Sequence, residues 1–292
     1  ILIKNLTYGM MGKLVLKLLR GFLMKTKSII LTIILGFFYP FSLIPGLRRN
    51  RITFISLEHD NLSKDFKLIY ERLSEKKKYE LRTVLFKFDS SFWGNIKYGY
   101  ACIRQLFLIQ SSHLVIIDYN NFVVSKFSHR KKVKVLQLWH ATGALKKFGN
   151  DVERDYKVKN YDYTIVNSDF LKPIFARAFN LLESQVMVTG IPNNDKIFDS
   201  IFLEETKQRL LAKYPILKNK KIITYAPTFR GRISTHFREA MIDLEKVHQK
   251  LGEDYLIIYK SHPLISDSKY ENNERVLFIR DELISSLLSL IH

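Results

Sequence analysis

The sequence predicts an α/β fold of parallel sheets in two domains, preceded by a separate helical N-terminus. From Arg51 onward, short runs rich in Val, Ile, Tyr and Phe alternate with helical stretches, the rhythm of βαβ units. The runs are continuously apolar, as strands covered on both faces must be. A length of 292 residues exceeds one ordinary small domain and suits two.

The first fifty residues stand apart. No Asp or Glu occurs between Ile1 and Asn50, whereas Lys4, Lys13, Lys17, Arg20, Lys25, Lys27, Arg48 and Arg49 are basic. Lys13, Lys17 and Arg20 share one helical face, with Leu14, Leu18, Leu19, Phe22 and Leu23 around the rest, the pattern of a basic amphipathic helix at a lipid interface. Ile29 to Pro45 gives seventeen uncharged residues, fewer than the roughly 20 of a spanning helix, and Pro40 and Pro45 break its far end. The segment reads as a helix lying in one leaflet, with a true transmembrane helix and a buried core hairpin as the alternatives. An anionic membrane surface is the expected partner.

Candidate strands follow in order: Ile52–Ser56, Leu81–Phe86, His113–Asp118, Val133–Trp139, Tyr163–Asn167, Val186–Thr189, Ile222–Ala226, Tyr255–Lys260 and Val276–Ile279. Helices are expected between them, for example Asp65–Leu73 and Glu204–Lys213. The Gly190-Ile191-Pro192 turn and the charged stretch after it mark a seam. The expected organisation is therefore a membrane-associating segment over 1–50, an N-terminal Rossmann-like domain over 51–195 and a second one over 196–292.

Chemistry gathers where strands end, the place where open parallel sheets hold ligands. The run Val133–Trp139 leads into His140-Ala141-Thr142-Gly143, then Lys146 and Lys147. An imidazole accepts protons near neutral pH, and Thr142 with Gly143 is expected to open a helix whose amides favour anions. The run Ile222–Ala226 leads into Pro227-Thr228-Phe229-Arg230-Gly231-Arg232, with forked guanidinium donors suited to phosphate. The run Tyr255–Lys260 leads into Ser261-His262-Pro263, adding an ammonium, a hydroxyl and a second imidazole. If the two domains face each other, the three loops converge. A weaker block, Thr189-Gly190-Ile191-Pro192 with Asp195, reads as a structural turn. For each histidine and for the arginine loop taken alone, a structural or solvated role is the competing reading.

Several classes are excluded or disfavoured. The formal charge of +19 and pI near 9.8 require an anionic partner: nucleic acid, anionic lipid or a phosphate-rich substrate. No nucleic-acid motif accompanies that charge. There is no G-x-G-x-x-G, P-loop, G-x-S-x-G or Asp-x-Asp pattern, so no dinucleotide, metal or other cofactor is expected. Cys102 is the sole cysteine, which rules out an intramolecular disulfide and reads as a small buried hydrophobe.

At these residues the sequence resembles the CDP-glycerol glycerophosphotransferase family, the teichoic acid primases and polymerases. Four blocks carry the resemblance in order: Leu138-Trp139-His140-Ala141-Thr142-Gly143 with Lys146-Lys147-Phe148-Gly149; Thr189-Gly190-Ile191-Pro192 with Asp195; Tyr225-Ala226-Pro227-Thr228-Phe229-Arg230; and Lys260-Ser261-His262-Pro263. The resemblance implies a glycosyltransferase-B type of fold. It also implies transfer of glycerol phosphate, or a similar polyol phosphate, from CDP-glycerol to a membrane-linked acceptor at the cytoplasmic face, with CMP released. By motif, His140 is the general base and His262 and Arg230 steady the donor diphosphate and leaving CMP. Thr228 and Ser261 support the phosphate contacts, with Thr142, Gly143, Lys146, Asp195 and Lys260 as further substrate-binding positions. In the family a helix like Asp281–Leu290 leads into a Thr-Asp-Tyr-Ser-Ser block. This chain stops at His292, so the second domain is expected to be incomplete. The rival readings are a nucleotide-sugar glycosyltransferase of the same fold, an inactive truncated relative or membrane scaffold, and a basic nucleic-acid-binding protein.

Overall fold

The fold is that of a computed structural model, which describes residues 26–57, 59–87, 89, 91–141, 143–144, 146–227, 229–230, 238–239, 242–261, 272–280 and 284–290. The chain divides into two compact units, Ile1–Asn193 and Asn194–His292.

The first unit is built on six parallel strands in the order β2-β1-β3-β4-β5-β6. They are β1 (Arg48–Ser56), β2 (Glu80–Leu85), β3 (Ser112–Ile117), β4 (Lys134–Gln137), β5 (Tyr163–Val166) and β6 (Val186–Val188). Side chains alternate across the sheet. Ile52, Phe54 and Ile116 face a core that includes Phe66, whereas Ile55, Val115 and Ile117 face a larger core on the other side. Phe54 and Phe66 are both fully buried, with ring centroids 5.3 Å apart at 72°. Burying each side chain contributes about 2–3 kcal/mol, and their edge-to-face geometry adds roughly another 1 kcal/mol.

The helices begin where the sequence supplies caps. Ser63 opens α2 (Lys64–Glu75) by accepting from the Phe66 amide, and Ser91 opens α3 (Phe92–Ser111) by accepting from the Gly94 amide at 2.9 Å; such caps contribute about 1 kcal/mol. The short α4 (Phe122–Lys126) is capped by Asn121. Helix α5 (Lys172–Phe179) ends at Asn180, which adopts the left-handed conformation typical of a helix C-terminus.

The first described helix, α1, covers residues 26–42. Pro40 lies inside its last turns rather than ending it. Leu35 is fully buried in the larger core, and the Tyr39 hydroxyl donates to the Ser128 carbonyl at 2.9 Å. The opposite face is bare: Ile29 is 59% exposed, Ile33 67% and Phe37 66%. Among the described residues no helix is long and apolar enough to cross a membrane. Lys13, Lys17 and Arg20 lie outside the described residues. Cys102 is fully buried in the same core, and burial pushes its thiol up to about 12.

The second unit has three parallel strands in the order β11-β10-β7: β7 (Lys221–Tyr225), β10 (Tyr255–Lys260) and β11 (Val276–Ile279). Along β10, Leu256 and Ile258 pack with Leu210 of α6 (Ser200–Lys213), and Ile257 and Tyr259 pack with Leu244 of α7 (Leu244–Leu251). Both faces are thus covered. A two-residue antiparallel ribbon pairs β8 (Phe229–Arg230) with β9 (Arg238–Glu239), and α8 (Ile284–Leu287) follows β11.

Candidate active site

In the first unit the strand order reverses between β1 and β3: β2 lies on one side of β1, and β4, β5 and β6 follow β3 on the other. Loops leaving the carboxyl ends on either side of such a switch point diverge and leave a crevice. Three loops frame it. Ser56 ends β1 and His59 follows it, Asp118, Tyr119 and Asn120 follow β3, and His140 lies beyond β4.

The backbone before His140 is strained. Trp139 has φ +59, a left-handed conformation that a bulky residue rarely adopts. Its neighbours over-determine it. The indole is 6% exposed and stacks on Phe148 at 5.1 Å and 26°. The Trp139 amide donates to the Gln137 side-chain oxygen at 2.8 Å, while the Gln137 amide group donates to the Tyr119 carbonyl at 3.1 Å. Gln137, fully buried, therefore ties the β4 turn to the β3 loop. The effect of the turn is to carry a core tryptophan and a surface histidine on consecutive residues.

The His140 ring lies against Tyr119, with centroids 4.2 Å apart and planes at 15°, and Trp139 flanks it at 4.2 Å and 43°. Its Nδ1 is 3.4 Å from the Asp118 carbonyl oxygen. A carbonyl only accepts, so this weak bond selects the tautomer with hydrogen on Nδ1 and leaves Nε2 as the basic atom. Desolvation by the covering rings lowers the His140 pKa from its ordinary value; the Asp118 carbonyl opposes that shift and the nearby His59 adds to it. The residue as a whole remains exposed, so the desolvation is that of the ring faces. The result is an imidazole that is neutral, and able to take a proton, at physiological pH. Ser56 Oγ and Asn120 Oδ1 are buried with no hydrogen-bond partner among the described residues.

Beyond His140 the structure corrects an expectation. Among the described residues no helix opens at Gly143. Residues 143–144 and 146–148 are loop, followed by a single 3-10 turn, Gly149–Asp151. The segment lacks an apolar repeat of helical period; instead Phe148 anchors it in the core against Trp139, Phe175 and Phe179. Asn150 then clamps the returning chain, donating to the Val158 carbonyl and accepting from its amide, both at 2.8 Å. Among the described residues, helix amides therefore offer no anion site beside His140. Gly143 and Lys146 are exposed on this loop; Thr142 lies outside the described residues.

In the second unit, Lys260 ends β10, and its ammonium donates to the Ser261 carbonyl at 3.0 Å and the Arg280 carbonyl at 2.6 Å. Both Lys260 and Ser261 are buried, so this ammonium joins the carboxyl ends of β10 and β11. Asp195 is exposed in the 3-10 helix Pro192–Ile197, where its carbonyl accepts from the Phe198 amide at 3.0 Å. Thr228 and His262 lie outside the described residues, as does the Arg230 side chain, although the Arg230 backbone forms β8. Among the described residues no cluster of three or more His, Cys, Asp or Glu is placed to hold a metal ion.

Comparison with known proteins shows the family. Residues 37–291 match the family model described as CDP-Glycerol:Poly(glycerophosphate) glycerophosphotransferase. The chain belongs to that family.

Other members agree. A teichoic acid ribitol-phosphate primase of Bacillus spizizenii is 30% identical over 256 residues, covering 82% of this chain and 64% of the primase. A teichoic acid glycerol-phosphate primase of Bacillus subtilis is 31% identical over 204 residues, covering 65% and 51%. The teichoic acid ribitol-phosphate polymerase TarK of Staphylococcus aureus is 28% identical over 274 residues, covering 84% and 53%. The glycerophosphotransferase-family chain thus spans between about half and two thirds of the length of these relatives. Its fold is that of the wall teichoic acid polymerase TagF, with a TM-score of 0.55 at 21% identity over 84% of this chain and 64% of TagF. A variant of TagF gives a TM-score of 0.61 at 20% identity over 93% and 72%.

Sequence reasoning on this family member did not single out His59, Asp118, Tyr119, Asn120 or Gln137. Asp118-Tyr119-Asn120 directly follows an apolar run, the same signal that drew attention to His140, and the rule that ligands sit beyond strand ends would have found it. No local signal marks Gln137, whose role depends on two loops meeting.

Proposed function

We propose that the chain is a polyol-phosphate transferase of teichoic acid synthesis. It moves glycerol phosphate, or a related polyol phosphate such as ribitol phosphate, from a CDP-activated donor to a membrane-linked acceptor. The observation that carries the reading is the placement of His140 beyond the carboxyl end of β4, with Nδ1 3.4 Å from the Asp118 carbonyl oxygen and desolvation lowering the pKa of the ring. In the proposed step the acceptor hydroxyl oxygen attacks the donor's β-phosphorus as its proton passes to His140 Nε2. The bond from that phosphorus to the CMP oxygen breaks, and CMP leaves. Such transfers need positioning and charge stabilisation more than covalent catalysis. The donor-side roles, Arg230 and His262 on the diphosphate with Thr228, Lys260 and Ser261 in support, rest on the motif resemblance. The relatives' printed functions in glycerol- and ribitol-phosphate transfer support the substrate class. So does the CDPG soak of a TagF structure, a protein that shares the fold. We assign the enzyme to the cytoplasmic membrane face as a peripheral protein, in keeping with the exposed apolar face of α1.

The test is CMP release by the purified chain, supplied with CDP-glycerol, CDP-ribitol or UDP-sugars and a lipid-linked acceptor. His140→Ala is expected to lower turnover about 10²–10⁴-fold with an unchanged unfolding temperature. Undiminished turnover in that variant would remove His140 as the base, and release of nucleotide from UDP-sugars alone would redirect the assignment to sugar transfer.

A further inference from the structure

The end of the first unit's sheet opposite the crevice is set with cations. Two clefts open there. One, of about 450 Å³, is lined by Arg51 of β1, Arg82 of β2, and Tyr100, Ile103, Arg104 and Phe107 of α3. The other, of about 440 Å³, is lined by Leu47, Arg49, His113, Lys132 and Lys134. Arg51 pairs in register with Glu80, the first residue of β2, while His113 and Lys134 stand at the starts of β3 and β4. The clefts therefore sit at the amino ends of four neighbouring strands, β2-β1-β3-β4, a width of roughly 15 Å.

The local carboxylates are already committed. Glu80 accepts from Arg51 at 2.9 Å and from Arg82 at 2.8 Å, with Arg48 at 3.4 Å. These guanidiniums, Arg51 foremost, hold its carboxyl at about 2. Asp162 accepts from Lys134 at 2.9 Å. Among the described residues no carboxylate pairs with Arg49, Lys132 or Arg104. Cations crowded in excess of their partners leave a positive field that an anion relieves. The field is also recessed: Arg51 is only 8% exposed, and its Nε has no hydrogen-bond partner among the described residues.

We propose that this edge binds the phosphodiester backbone of a linear polyol-phosphate chain, at a site separate from the crevice. The proposal rests on the polyol-phosphate reading of the crevice. Forked guanidiniums suit phosphate oxygens. Half-buried Leu47, Ile103 and Phe107 give the clefts apolar floors against which the C–H edges of the polyol units can lie. The exposed cations, Arg49 on β1, Lys132 just before β4 and Arg104 on α3, are spread along this edge, which suits the successive phosphates of one extended chain. The crevice lies one strand length away, about 20 Å. A polymer held here keeps its growing end near His140 and raises its effective concentration there.

The test is fluorescence anisotropy of a labelled short poly(glycerol phosphate) on the purified full chain. The expected result is binding that weakens as salt rises. It should weaken by about tenfold or more when Arg104→Glu and Lys132→Glu are combined, by less in the Gln pair, and not at all in Lys250→Glu, an exposed charge reversal on α7. Arg104 and Lys132 are both exposed, and the Gln pair separates charge loss from misfolding. The proposal is overturned if the oligomer does not bind at low salt, or if His140→Ala loses binding while the charge reversals keep it. It is also overturned if the reversals alter binding to phosphatidylglycerol vesicles and not to the oligomer. Failure of the crevice reading has a different signature: unchanged CMP release in His140→Ala with the charge-dependent oligomer binding intact.

Discussion

The Tyr119 ring is stacked on His140, 4.2 Å between centroids and 15° from parallel. This contact couples the β3 loop to the β4 turn and shields one face of the imidazole. Because desolvation is the leading cause of the lowered His140 pKa, Tyr119 helps to set the pH at which the base is free. The reactive form is neutral imidazole, so activity rises with pH through this pKa. The acid limb of the kcat/KM profile is therefore expected below the ordinary histidine value of about 6.5. Tyr119→Ala should move that limb up toward about 6.5, costing more activity at mildly acid pH than at alkaline pH. His59→Gln, which removes the neighbouring imidazole that also lowers the His140 pKa, should move it in the same direction by less. Superimposable pH profiles for wild type and Tyr119→Ala would refute the coupling.

Gln137 is a positioning residue, acting on the imidazole through the Trp139 amide and the Tyr119 carbonyl. Gln137→Leu keeps the volume but removes both bonds and leaves a strained Trp139 without its anchor. A loss of roughly tenfold or more in kcat with little change in donor KM is expected, together with a displaced acid limb. Steady-state kinetics on the variant checks it; a change in KM alone would mean that Gln137 acts on substrate binding and not through the imidazole.

Gly149 is required by geometry. Its φ is +57, and a Cβ there would fall on the Ala178 carbonyl oxygen. Gly149→Ala should therefore destabilise the first unit by about 2 kcal/mol or more, since both backbones are fixed by the Phe148, Phe175 and Phe179 cluster. Urea unfolding of the variant would reveal this as a lower midpoint, and an unchanged midpoint would show that the loop moves aside.

The outer face of α1 carries Ile29, Ile33 and Phe37 at successive helical turns, all exposed. On the peripheral-membrane reading, Ile33→Asp with Phe37→Asp should abolish co-flotation with phosphatidylglycerol vesicles while leaving the unfolding temperature unchanged, because both side chains point away from the core. Retained flotation would place lipid contact elsewhere on the chain.

Much of the scaffold was legible beforehand. Each apolar run from Ile52 to Ile279 became a parallel strand within a few residues, because a strand covered on both faces needs an uninterrupted apolar stretch whatever surrounds it. The ordered motif blocks also carried the family. The helix expected after His140 failed for a local reason: the Thr142-Gly143 pair resembles a helix start, but no apolar period follows it, and Phe148 pulls the chain into the core instead. Pro40 did not end α1 either, since a proline in a last turn costs less than the burial of Leu35 and Tyr39 on the core side returns.

What the sequence determined by itself was element identity, family and the list of chemically able residues, all properties carried by short stretches of chain. What only the tertiary structure decided was which of them meet. The Tyr119–His140 stack, the left-handed Trp139 held by Gln137, and the cationic clefts spanning the starts of four strands join residues from separate stretches. The sheet order β2-β1-β3-β4 brings them together, and that order is set by how helices of both layers bury their apolar faces on the sheet rather than by any local pattern.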